Sequence, residues 1–376
     1  MARRWGLTTI GTVLRPEVRY ARADDGVSIA YSVVGDGPVT IVVVSPLISQ
    51  LELAWEEPAL EHFWSRFAAC ARVVLFDRRG AGLSDRSPAG QRLSLTALTL
   101  DIKAVLDACD AGLAALFGVT LGCPVAIGFA ASYPSRARAL VLAGGFAKMT
   151  RLGEFDFEAD PARVDEWARR TAQAWGTGVA FGARAPSMRD NARYREWAAR
   201  MERHTCSPGS VEALARWAAA VDVRPLLASL RVPTLVMHRR DDRSVPVTEG
   251  LYLAGHIPGA AYAELPGADH TLFVGDQRVV HDTVIEFLDR VVADGAMRAA
   301  LRRADRKNAA GTGWDSLTPS EREVVALIAT GMTNSQVAAR LHLSPHTVDG
   351  RLRRVFAKLG VNTRVELTAE YARVTG

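Results

Sequence analysis

Between residues 16 and 145, short apolar runs alternate with longer stretches in which apolar residues recur every three or four positions. Val39-Thr40-Ile41-Val42-Val43-Val44 is a β-branched run of strand length, closed by Ser45-Pro46. A run that is apolar at successive positions, not alternate ones, suits a strand covered on both faces. Val73-Val74-Leu75-Phe76, ended by Asp77-Arg78-Arg79-Gly80, continues the series, as do Ala114-Ala115-Leu116-Phe117 and Ala139-Leu140-Val141-Leu142. Residues 95–110 carry helical spacing. Strands separated by helices predict a mostly parallel sheet.

Residues 150–222 break this alternation. They are helical in pattern and rich in Arg and Trp, with Trp167, Trp175, Trp197 and Trp217 among them. Strand patterns return at Pro233-Thr234-Leu235-Val236-Met237 and Ala261-Tyr262-Ala263-Glu264-Leu265. Helices inserted between strands of one sheet make a natural lid. Its tryptophans are expected in the lid's own core, with one or two touching a pocket beneath. A helix over 278–294 closes the domain. Residues 298–307 are basic and helix-compatible, and Asn308-Ala309-Ala310-Gly311-Thr312-Gly313 is a small, flexible linker. The expected organisation is a first domain over 16–293, with its lid at about 150–222, a connector over 294–314 and a second domain over 315–376.

The second domain reads as four helices. Thr318 caps the first, with Pro319 at its first position and Glu321 closing a capping box. Val324, Val325, Leu327 and Ile328 give it an apolar face, and Gly331 ends it. Thr333 and Gln336 repeat the capping pair, His342-Leu343 makes a turn, and Ser344-Pro345 starts a longer basic helix running to about Leu359. A fourth helix follows from Asn362. Two short helices, a tight turn and a basic successor describe a helix-turn-helix.

The chain of 376 residues has room for two such domains. A formal charge of +5 permits a nucleic-acid partner without establishing one. Cys70, Cys109, Cys123 and Cys206 form no CxxC pair or zinc-ligand spacing, so reduced thiols and no metal are expected. Residues 1–11 lack the apolar stretch of a secretory signal, and no apolar segment is long enough to span a membrane. A cytoplasmic location with no membrane partner is the expectation.

The candidate chemistry lies at three turns, each following a strand. Gly118-Val119-Thr120-Leu121-Gly122 precedes a helix over 124–133, the context of a nucleophile elbow. Its glycines leave room for a sharp turn, and the helix N-terminus supplies a positive dipole. Asp241-Asp242-Arg243-Ser244-Val245-Pro246 and Pro266-Gly267-Ala268-Asp269-His270 come later, in the order nucleophile, acid, histidine. With Asp77-Arg78-Arg79-Gly80-Ala81-Gly82-Leu83-Ser84-Asp85 matching a DxRGxGxSD loop, residues 16–293 resemble the α/β-hydrolase superfamily. The resemblance implies a triad of Thr120, Asp242 and His270. Asp241 competes for the acid position; the spacing to Val245-Pro246 favours Asp242. It also implies an oxyanion hole from the amides of Leu47 and Leu121, and no cofactor.

Two departures from that family stand out. Ser45-Pro46-Leu47 replaces a Gly-rich turn, and Pro46 has no N–H to donate. Threonine replaces serine at the elbow, where β-branching makes positive φ costly and the methyl group crowds attack. Cys123 is expected to pack after the elbow and not to react.

The second domain resembles the LuxR-type DNA-binding family. The match runs through Leu317-Thr318, Glu321-Arg322-Glu323, Gly331, Thr333-Asn334, Val337-Ala338, Leu341, Leu343-Ser344, Thr347-Val348, Lys358-Leu359, Val361 and Arg364. The resemblance implies double-stranded DNA as partner and 344–359 as the recognition helix. Candidate DNA contacts are Ser344, Thr347, Val348, Asp349, Gly350, Arg351, Arg353, Arg354 and Lys358, with Asp349 standing where many relatives have lysine. Val365, Leu367, Ala369 and Tyr371 are the expected dimer surface, since such readers bind two half-sites. The combined expectation is a homodimeric transcription regulator whose hydrolase-like domain senses a small apolar, ester-like or lactone-like ligand. The alternative is an esterase or lactonase using Thr120, with DNA binding attached.

Overall fold

Short strands β1 (Leu7–Ile10) and β2 (Val13–Pro16) pair as an antiparallel hairpin. The main sheet begins with β3 (Arg19–Arg22), β4 (Ser28–Val34), β5 (Thr40–Val44), β6 (Arg72–Phe76), β7 (Ala114–Val119) and β8 (Ala137–Ala143). After a two-residue pair, β9 (Arg151–Leu152) with β10 (Phe155–Asp156), it resumes with β11 (Thr234–Arg239) and β12 (Ala261–Leu265). The spatial order is β12-β11-β8-β7-β5-β6-β4-β3. Pairing is parallel from β6 to β12, while β4 is antiparallel to both β6 and β3. Every residue of β7 except Val119 is buried, as a strand covered on both faces requires. In this computed structural model the described residues are 7–10, 13–45, 48–86, 93–152, 155–157, 160, 162–292, 313–341, 343, 345–361 and 363–375. They fall into two compact units, Met1–Ala300 and Leu301–Gly376.

The mostly parallel sheet matches the expectation from the apolar runs. The antiparallel start does not stand out in the pattern, because edge strand β3 buries only Ala21 of its four residues. Crossover helices α1 (Pro58–Ala68), α2 (Leu95–Ala108) and α3 (Gly122–Ser132) follow β5, β6 and β7. The Glu57 side chain accepts from the Ala59 amide to cap α1, and Ser94 accepts from Ala97 to cap α2. Unlike them, α3 is buried almost all round, so it starts under the sheet's C-terminal edge with no polar face.

The lid comprises α4 (Arg163–Ala174), α5 (Val179–Gly182), α6 (Ala192–Thr205), α7 (Pro208–Ala220) and α8 (Arg224–Leu227). Trp167, Trp175 and Trp197 are buried within it. The indole of Trp175 donates to Cys206 O (2.7 Å), and that of Trp197 to Leu53 O (2.8 Å) beneath the lid. Buried Glu202 is the lid's internal fastener: its carboxylate accepts from the amides of Gly176, Gly178 and Phe181, each at 2.8 Å. Helices α9 (Val247–His256) and α10 (Gln277–Val292) complete the unit.

In the second unit the helices are Pro319–Ala329, Asn334–Arg340, Pro345–Leu359 and Arg364–Thr375. Both capping boxes form, Thr318 with Glu321 and Thr333 with Gln336, and Gly331 takes positive φ (88°). The core gathers Val324, Val325, Ile328, Val337, Val348, Leu352, Val355 and Leu367. The connector residues 298–307, His342, Ser344 and Asn362 lie outside the described residues.

Candidate functional site

The elbow is built by what its glycines lack. A Cβ on Gly122 would stand 2.0 Å from the Val44 carbonyl oxygen, and one on Gly118 2.9 Å from Cys123 Cα. With both absent, β7 turns directly into α3 and leaves Thr120 at φ +52°. Left-handed backbone is a genuine outlier for a β-branched residue, costing on the order of 1–3 kcal/mol. The Thr120 amide holds the turn through Ala143 O (2.9 Å).

Thr120, His270 and Asp242 come together. Thr120 Oγ1 lies 2.6 Å from His270 Nε2, and His270 Nδ1 lies 2.6 Å from Asp242 Oδ2. The other oxygen of Asp242 accepts from the amides of Ser244 (2.8 Å) and Val245 (3.1 Å), and His238 Nε2 stands 3.5 Å from Oδ2. Burial opposes ionisation of this carboxyl, but His270 and His238 outweigh it and hold Asp242 well below the usual carboxylate range. Asp241, its neighbour, is exposed. Leu121 occupies the N-cap of α3, where the helix gathers partial positive charge. Its expected companion Leu47, with Pro46, lies outside the described residues. Cys123 is fully buried against Gly118 O (3.2 Å), and burial pushes its thiol up, away from thiolate.

The histidine loop is tied to the lid and to the sheet. The amides of His270 (2.8 Å) and Thr271 (3.2 Å) donate to the carbonyl of Arg184, just after α5. Asp269 accepts from the Ser187 amide (2.9 Å) and hydroxyl (2.8 Å). Buried Arg239, at the end of β11, donates to Pro266 O (3.0 Å) and Val274 O (2.7 Å), pinning the loop on both sides of His270. None of Glu202, Arg184 or Arg239 stands out in the sequence, because each acts on main chain tens of residues away.

Above the elbow is a cavity of about 130 Å³. Leu60, Phe63, Trp64, Phe181, Met201 and Phe273 supply apolar wall, while Thr120, His270, Asp77 and Arg184 are also at its lining. The lid tryptophans expected there do not reach it; Phe181 and Met201 meet it instead, and Trp64 comes from α1. Trp217 lines a separate surface cleft. Asp77 is fully buried, and burial pushes its carboxyl up to about 6.

On the helix Pro345–Leu359, Thr347, Arg353 and Arg354 are exposed, and Asp349, Gly350 and Arg351 half-buried. Thr347, Gly350, Arg351 and Arg354 recur at three- and four-residue spacing and so share one face. Two candidate contacts need correcting. Val348 is wholly buried in the core, its spacing placing it with Leu352 and Val355. Lys358 turns inward, donating to Glu321 (2.7 Å) and to Ser316 O (3.0 Å). Asp349 pairs with Arg353 one turn along. The expected dimer surface is corrected too: Leu367 belongs to the core and Tyr371 packs on Trp314, leaving Val365 and Ala369 exposed.

Among the described residues no helix is long and apolar enough to cross a membrane, and no cluster of three His, Cys, Asp or Glu side chains is placed to hold a metal. The family model for the alpha/beta hydrolase fold matches residues 57–277, and that for bacterial regulatory proteins of the luxR family matches 315–370. A putative HTH-type transcriptional regulator of Mycobacterium tuberculosis is 45% identical over 96 residues, covering 23% of this chain; the match spans only 11% of that regulator's length. A putative carbamate hydrolase, RutD, of Variovorax paradoxus is 29% identical over 60% of this chain and 84% of its own. Among solved structures, an esterase from Rhodococcus sp. ECU1013 superposes with a TM-score of 0.57 at 26% identity, over 73% of this chain and 99% of its own. An enol-lactonase from Burkholderia xenovorans LB400 shares the fold, with a TM-score of 0.60 at 22% identity over 72% of this chain and 99% of its own. The chain therefore belongs to the α/β-hydrolase fold family and carries, fused at its C-terminal end, a LuxR-type DNA-binding domain of a transcription regulator.

Proposed function

We propose that the hydrolase-fold domain is the sensor of this regulator: a small, largely apolar ligand enters the cavity above Thr120 and changes how the second domain engages DNA. The observation that carries the reading is a β-branched residue, strained at φ +52°, at the nucleophile position under an apolar cavity. A secondary hydroxyl whose methyl group crowds the attack path is a poor nucleophile, while the pocket that would hold the ligand is kept. In this reading residues 16–293 bind ligand, 294–314 connect, and 315–376 read DNA as a homodimer. The amide of Leu121, at the N-cap of α3, is the donor offered to the ligand's polar atoms. Binding acts on DNA only through unequal affinity for two states. Within the first unit the ligand has something to move: hydrogen bonds fasten the lid to the histidine loop, so a ligand pressing on Phe181 presses on the segment whose carbonyl holds His270.

The second reading, an esterase or lactonase that also binds DNA, is favoured by the 2.6 Å approach of Thr120 Oγ1 to His270 Nε2, since a base that close can activate a hydroxyl. Hydrolysis of short- and medium-chain nitrophenyl esters and lactones separates the two. The sensor reading expects an inert wild type, with Thr120→Ser gaining turnover at least about a hundredfold, the size of one well-placed catalytic group. Turnover by wild type that Thr120→Ala abolishes would establish the enzyme instead.

A further inference from the structure

We propose that the ligand of this cavity is an anion, a carboxylate on an apolar body about the size of one ring, held by the guanidinium of Arg184. This rests on the reading that the cavity takes a small ligand, and it narrows the class. Arg184 lines the cavity beside Phe181, Met201, Leu272 and Phe273. Among the described residues it has no carboxylate within ion-pair distance, and its side chain donates one hydrogen bond, to Ala180 O. Other arginines of the lid helices are differently placed: Arg193 pairs with Glu57, Arg200 with Glu56, and Arg216 with Asp165 and Glu212. The acids nearest in charge to Arg184, Glu202 and Asp242, are committed elsewhere, to the amides of the lid and to the imidazole of His270. A guanidinium has five N–H donors, and Arg184, half-buried at the cavity, leaves most of its own without a protein acceptor among the described residues. Burial lowers the pKa of Arg184, the mark of a cation short of counter-charge.

A second group on the same wall points the same way. The hydroxyl of Thr271 is buried and lines the cavity, and among the described residues it meets only the buried hydroxyl of Tyr194. Its amide is bonded to the Arg184 carbonyl, so donor and cation belong to one hydrogen-bonded corner. A carboxylate accepts from both, while the Asp77 carboxyl on the same lining is already held by the amides of Leu51 and Leu83. The cavity's size sets the rest: about 130 Å³ compares with the roughly 150 Å³ of an engineered apolar cavity that binds benzene. A carboxylate is also the acyl form least open to nucleophilic attack, so a pocket selecting it has little use for a serine.

The test is calorimetric titration of the full chain with benzoate, phenylacetate and hexanoate against benzamide, phenylacetamide and hexanamide, using wild type, Arg184→Gln and Arg184→Lys. The expected result is a preference of about tenfold or more for each acid over its amide, lost in Arg184→Gln and largely kept in Arg184→Lys. The hydrogen bond to His270 uses the Arg184 main chain, so it survives both substitutions. Amides that bind wild type as tightly as the acids would overturn the anion inference and leave the cavity reading standing. Failure of both sets to bind wild type would overturn both.

Discussion

At Thr120 a single residue carries two incompatible preferences. The turn demands positive φ, which glycine or asparagine meets cheaply and threonine does not. Yet its hydroxyl is held on His270. Sequence reasoning reaches this far, because the elbow, the acid and the histidine each follow a strand in a loop motif. It stops at side chains whose meaning comes from burial. Asp77 and His281 are examples, and they make opposite contributions to pH dependence. Burial raises Asp77 to about 6, so its neutral form stabilises the fold below pH 4 and that contribution is lost as pH rises through about 6. Burial lowers His281 to about 4, so its contribution is complete above pH 6.5 and lost as pH falls through about 4. Urea unfolding between pH 4 and 6.5 checks the signs. The stability of wild type relative to Asp77→Asn should decline as pH rises, and relative to His281→Gln it should decline as pH falls, each by up to about 3 kcal/mol. Parallel pH profiles for the three proteins would refute both assignments.

Among the elements, the lid shows best what pattern alone misses. Its helices were legible from spacing, but not the inward turn of Glu202, because the amides it gathers lie up to 26 residues away in the chain. Glu202→Ala leaves two buried amides and one half-buried one without an acceptor and should cost roughly 2–4 kcal/mol, with faster proteolysis within 163–227. Glu202→Gln, which keeps one acceptor oxygen, should cost less; equal stability of both variants and wild type would show that the lid does not depend on this carboxylate. The same limit applies to the reading helix. Its apolar spacing places Val348 inside, a consequence of helical period that motif matching overlooks, and Lys358 is drawn to Glu321 by a fold-level contact. The Asp349–Arg353 pair offsets the charge of an exposed cation. Asp349→Ala should therefore tighten DNA binding and steepen its salt dependence by about one unit of log K against log salt. Arg351→Ala should weaken binding; unchanged fluorescence anisotropy titrations for both variants would remove this face from the interface.

For the whole molecule, the chain order was readable from its pattern: a sheet with inserted lid, then four capped helices. What joins them in function is not a property of any one motif. A hydrolase fold and a LuxR-type DNA-binding domain stand in one chain; that the first controls the second is the proposal, and thermodynamic linkage makes it testable without knowing the natural signal. The measurement is the dissociation constant of the full chain for a duplex selected by the protein from a random library. It is read by fluorescence anisotropy with and without saturating phenylacetate, benzoate or hexanoate, whichever of the three calorimetry shows to bind. The expected result is a change of about fivefold or more at fixed salt, the lower end of typical coupling energies, and the same factor in ligand affinity when DNA is bound first. Identical DNA affinity with the cavity empty and filled would contradict it.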